Sequence, residues 1–97
     1  MQANRVSLSG KIIEIGVPRH TPAGLPVLAF KIGHASEQNE AGAKRQVQCE
    51  VPVMAIGEIA KSRFKSGDTV SVDGFLSRRS LNSPQLVLHA NNIELIE

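Results

Sequence analysis

Four side chains in this 97-residue chain could hold a metal ion or act as a nucleophile: His20, His34, His89 and Cys49. They fall in different segments. No cysteine or carboxylate stands at metal-ligand spacing from any of the histidines, and there is no glycine loop that would cradle a phosphate. The sequence thus carries no catalytic constellation, no metal site and no cofactor site. Cys49 falls on the apolar parity of a predicted strand and reads as a buried structural thiol. As the single cysteine it excludes an intrachain disulfide and fits a reducing compartment.

The remaining chemistry is that of binding. Lys11, Lys31, Gln46 and Gln48 lie on the polar parities of predicted strands. Arg19, His20, Arg78 and Arg79 lie in predicted loops, and Lys44 and Arg45 lead into a strand. Cations so placed neutralise phosphates, and glutamines hydrogen-bond to bases. The same residues would equally serve as the solvated exterior that every such strand needs. The net charge is +2 and the pI about 9.0, which permits a polyanionic partner without demanding one. There is no Trp or Tyr and only three Phe, so base stacking is thinly provided. Phe30 and Phe64 share the parity of apolar neighbours and read as core. Phe75 is out of phase with Val70 and Val72. Either Gly74 supports a bulge that turns Phe75 inward, or Phe75 points outward as a contact residue.

The elements that must position these residues follow from periodicity. Residues 5–15 read as a first strand, with Val6, Leu8 and Ile12 on one parity and a bulge invited at Gly10. Residues 20–26 are turn chemistry, with Pro22 and Gly24 at turn-favouring spacing. Residues 27–34 form a second strand facing inward through Leu28, Phe30 and Ile32. The polar stretch 36–44 has no apolar period and reads as a mobile loop. Residues 45–53 form a third strand whose stripe is Val47, Cys49, Val51 and Val53. Pro52 should end it or mark an edge. Ile56, Ile59, Ala60, Arg63 and Phe64 recur at helical spacing, and Gly67 would close that helix. Two more strands, through Val70 and Val72 and through Leu86 to Ile96, flank the basic loop with Arg78 and Arg79. Residues 1–97 should form one domain. With one short helix between strands three and four, the order predicts an all-β, five-stranded OB-fold barrel. A different small barrel, SH3-like, is the alternative. No segment reads as a leader or a membrane span, so the expected location is cytoplasmic.

NRVSLSG, TPAGLPVLAFKI with HAS after it, KRQVQCEVPV, GDTVSVDGFL and QLVLHANNIELI together resemble the primosomal replication protein N (primosomal protein B) family of bacteria, relatives of bacterial single-stranded DNA-binding protein. The resemblance runs from Asn4 to Ile96. It implies an OB fold, a homodimer around the first strand, and single-stranded DNA binding. It also implies replication restart with the primosomal helicase and a helicase-loading primosomal protein as partners. In enterobacterial members a tryptophan on strand three stacks on DNA, where this chain has Gln48, and their loop before the last strand is rich in lysine. The leading expectation, from the resemblance, is a DNA-binding accessory that stimulates the helicase. The alternatives are a primosomal adaptor with little DNA affinity of its own and an ordinary short single-strand binder. The chain ends at Glu97 directly after the last strand, so partners are expected to dock on the barrel or its loops.

Overall fold

The computed structural model describes residues 1–96, so Glu97 lies outside the described residues. Among the described residues there are six strands: β1 (Val6–Ile15), β2 (Arg19–His20), β3 (Pro26–Glu40), β4 (Ala43–Ile56), β5 (Thr69–Arg78) and β6 (Leu86–Ile96). The five long ones close into a ring in the order β1–β3–β4–β6–β5 and back to β1, and β2 adds at β3. All pairings are antiparallel except β4 with β6. This is the OB-fold barrel that the order of elements predicts.

The core follows the alternation. Ile12, Leu28, Phe30, Ile32, Val53, Ala55, Val70, Val72 and Leu88 are buried inside the ring, and Ala60 closes one end. Every one of these side chains is apolar, so the barrel is held by burial without an internal polar network. Phe64 packs against this cluster as a partly buried residue, close to its expected role.

Several expectations are corrected. Residues 36–40 and 43–44 are strand, not a loop: β3 and β4 form one long hairpin whose turn is Ala41–Gly42. Both turn residues have positive φ, 53° and 79°, the left-handed pair that suits a two-residue hairpin. The arm has no buried face beyond the barrel, so no apolar period announces it. Cross-strand polar pairs mark it instead: Arg45 donates to Glu40, and Gln46 donates to Glu37 at 2.9 Å. Cys49 is on this arm, opposite His34, and is exposed rather than buried. β4 also runs through Pro52, which stands just before β4 gains its second neighbour at Val53.

The expected helix is only one 3-10 turn, Glu58–Lys61. Gly57, with φ 92° at its start, cannot be a helical residue, and Ser62 is already extended. Ile56 therefore ends β4, and Gly67 belongs to a separate turn in which Asp68 N–H donates to the Lys65 carbonyl at 3.1 Å. The bulge in β1 falls at Ile13, not Gly10, because the register slips between Ile12 and Glu14. There β1 has already exchanged β5 for β3, and the corner follows that exchange.

Candidate nucleic-acid interface

The outward residues of β3 and β4 form the floor of a groove. The strand alternation that buries Leu28, Phe30 and Ile32 sends Ala29 and Lys31 outward, and across the hairpin it sends Pro52 and Met54 the same way. The walls come from two other places. Arg19 stands on β2, held by pairing with Val27 and by the Thr21–Leu25 turn, in which Thr21 N–H donates to the Leu25 carbonyl at 2.8 Å. Arg79 and Gln85 stand at the two ends of the β5–β6 loop, which they also close: Arg79 N–H donates to the Gln85 carbonyl at 2.9 Å. The groove holds about 490 Å³, and Arg19, Lys31 and Arg79 all line it.

A row of outward side chains extends the groove sideways across four strands. Ala29 pairs with Met54, Met54 with His89, and His89 with Phe75. Phe75 does point outward. It is 38% exposed and lies flat on the His89 ring, with centroids 5.2 Å apart and planes 5° from parallel. A bulge is present, but on β6: Asp73 pairs with Asn92 and Gly74 with Ala90, leaving Asn91 as the extra residue. The second continuation runs along β4, where Gln48 and Gln46 follow Met54, Pro52 and Glu50 on one parity and are exposed. Gln48 lies about 13 Å from Pro52 along the strand.

The structure thus brings together some of the predicted residues and separates others. Arg19, Lys31 and Arg79 share the groove; Phe75, Gln48, Gln46 and Lys44 lie on surfaces continuous with its floor. Arg19 sits on a short strand, not in a loop. Arg78 is the last residue of β5 and does not line the groove. Arg45 is on the opposite face of the arm from Gln46, beside Glu40. Lys11 is exposed where β1 changes partner and lies away from the groove.

Ion pairing further divides the cations. Lys31 lies 3.7 Å from Glu14 and 4.0 Å from Glu50. Lys44 lies 3.5 Å from Glu37, and Arg45 pairs with Glu40. Among the described residues, no carboxylate lies within ion-pairing distance of Arg19, Arg78 or Arg79. Glu14, Met54 and Gln85 are not singled out by sequence reasoning, and His89 is weighed there only as a metal ligand or nucleophile. Met54 was legible in principle, because it continues the period-two stripe of Gln46, Gln48 and Glu50. Glu14 was not, because the bulge at Ile13 resets the parity of β1.

The chain is similar in sequence and in fold to known proteins. Residues 4–92 match a family described as another single-strand binding protein family. The chain is 41% identical over 95 residues to the replication restart protein PriB of Nitrosomonas europaea, covering 96% of this chain and 88% of that one. It is 40% identical to the replication restart protein PriB of Photorhabdus laumondii, covering 100% of this chain and 97% of the relative. The structure of PriB from Ralstonia solanacearum superposes with a TM-score of 0.90 at 28% identity, covering 99% of this chain and all of that one. The single-stranded DNA binding protein from Thermus aquaticus has the same fold, with a TM-score of 0.78 at 24% identity over 98% of this chain and 51% of its own.

Proposed function

The chain belongs to the single-strand binding protein family and to the replication restart proteins PriB, and on that premise we propose that it is a single-stranded DNA-binding accessory of the replication-restart primosome, working in the cytoplasm. Its role is binding rather than catalysis. The observation that carries this reading is the groove on the outer β3–β4 face. Arg19, on β2, and Arg79, at the start of the β5–β6 loop, line that groove, and among the described residues neither pairs with a carboxylate. Phosphates would lie between these arginines while bases face Met54, Pro52 and the Phe75–His89 pair. The partners in this reading are single-stranded DNA, the primosomal helicase and a helicase-loading protein.

One observation favours a second reading, an adaptor that stimulates the helicase with little DNA affinity of its own. Lys31, Lys44 and Arg45 are already neutralised by glutamates, and Gln48 gives no stacking face. Titrating a labelled oligonucleotide with and without helicase, beside an unwinding assay, separates the two. Saturable binding by the protein alone supports the first reading. Helicase stimulation with no such binding supports the second.

We further propose that the protein is a homodimer. Residues Val6–Leu8 pair with β5 on one side only, so the start of β1 presents an open edge of the kind that pairs with another chain. Sedimentation at micromolar concentration should give twice the 10.4 kDa chain mass. A species of single-chain mass throughout that range would remove the dimer.

A further inference from the structure

We infer that Glu14 and Glu50 form an electrostatic brake on the groove, withholding Lys31 from phosphate and keeping single-strand affinity low; this rests on the DNA-binding reading above. Among the described residues, Lys31 is the one cation on the groove floor. It projects from β3 between β1 and β4. Glu14 is its register partner on β1, and Glu50 stands two residues before Pro52, its register partner on β4. All three therefore point to the same outward face. Their ionised ends converge, with the Lys31 ammonium 3.7 Å from Glu14 Oε2 and 4.0 Å from Glu50 Oε1. The Lys31 side chain is 36% exposed, whereas Glu14 and Glu50 are 73% and 65% exposed. The two carboxylate side chains are thus the more exposed members of the trio and meet an arriving strand along with the ammonium.

One cation between two carboxylates carries net charge −1. A phosphate that reaches Lys31 must displace both carboxylates or sit beside them, and both alternatives oppose binding. The exposed ion pairs are individually weak. The barrier is therefore mostly like-charge repulsion, and it acts only within about 10 Å at 0.1 M salt. Arg19 and Arg79 lie on the same groove without such guards, so the brake lowers affinity without abolishing it. The arm repeats the arrangement on a smaller scale, with Glu37 holding Lys44 at 3.5 Å.

The test is a salt titration of single-strand affinity for the Glu14→Gln/Glu50→Gln variant. Both side chains are exposed, so the fold should tolerate the change. Affinity at low salt should rise by about 5- to 30-fold. The slope of log affinity against log salt should steepen by roughly 0.7 as Lys31 gains one phosphate. Adding Lys31→Gln to the double variant should return the slope to that of the wild type. Glu58→Gln/Glu94→Gln changes net charge equally, but neither residue lines the groove, and it should have a much smaller effect. Equal gains in the two double variants would overturn the brake in favour of a general charge effect. An unchanged affinity and slope in Glu14→Gln/Glu50→Gln, with wild-type binding intact, would overturn the brake alone. If wild-type and double variant both fail to bind, the DNA-binding reading falls and the brake with it.

Discussion

A Gly74→Ala variant is expected to lose about 3 kcal/mol or more of stability, and so to melt roughly 12–24 °C below the parent chain. A Cβ at residue 74 would run into the backbone carbonyl of His89 and stand 3.1 Å from the Ala90 Cα. These are backbone atoms of the neighbouring strand, so no side-chain rotation relieves the clash. The close approach exists because β6 carries its extra residue, Asn91, beside this point. Val72 and Leu88, both fully buried, stand on the two strands that would have to separate. Ser77→Ala, at an exposed position on the same strand, should melt within a few degrees of the parent. Thermal unfolding followed by circular dichroism checks both. A Gly74→Ala chain that melts with the parent would mean that the strands are farther apart than described. The same displacement would move Phe75 off His89, so single-strand affinity should fall even where the variant remains folded.

Gln48→Trp is expected to tighten single-strand binding by about 5- to 150-fold, because one base stacked on an aromatic is worth about 1–3 kcal/mol. Gln48 is exposed and pairs with Ala35 across the arm, leaving room for an indole above a small neighbour. It shares its face with Glu50, Pro52 and Met54, so a base stacked there would continue along the strand into the groove. The variant would contain a single tryptophan, and its fluorescence should be quenched on adding oligonucleotide. Unchanged affinity with silent fluorescence would take the arm out of the DNA path and favour the adaptor.

The barrel was legible because its inner face is a strict period-two pattern. Leu28, Phe30 and Ile32 had only one way to face, and the order of strands around one short helical segment left few closures. The hairpin arm was not legible, because a two-stranded ribbon wet on both faces has no apolar period. Only its Ala41–Gly42 turn and its pairs between glutamates and cations betray it. Cys49 was misplaced for the same reason: its parity continues that of the buried Val53, but by residue 49 the strand has left the core. The helix was over-extended because helical spacing was read through Gly57. At the site, Lys31, Gln48 and Phe75 were legible as polar or out-of-phase residues on expected strands, and Arg19 only as a loop cation. The carboxylates around Lys31 were not, since they meet only after a bulge and across two strand pairings.

The most direct test of the groove is the salt dependence of single-strand affinity in an Arg19→Ala/Arg79→Ala variant. Each phosphate contact contributes a slope of roughly −0.7 for a single strand. If these two arginines grip phosphates across the β3–β4 face, the slope of the double variant should be flatter than the wild type by about 1.4. Arg78→Ala, just outside the groove, should change it less. A double variant with the wild-type slope would contradict the account and place the phosphates on another face of the barrel.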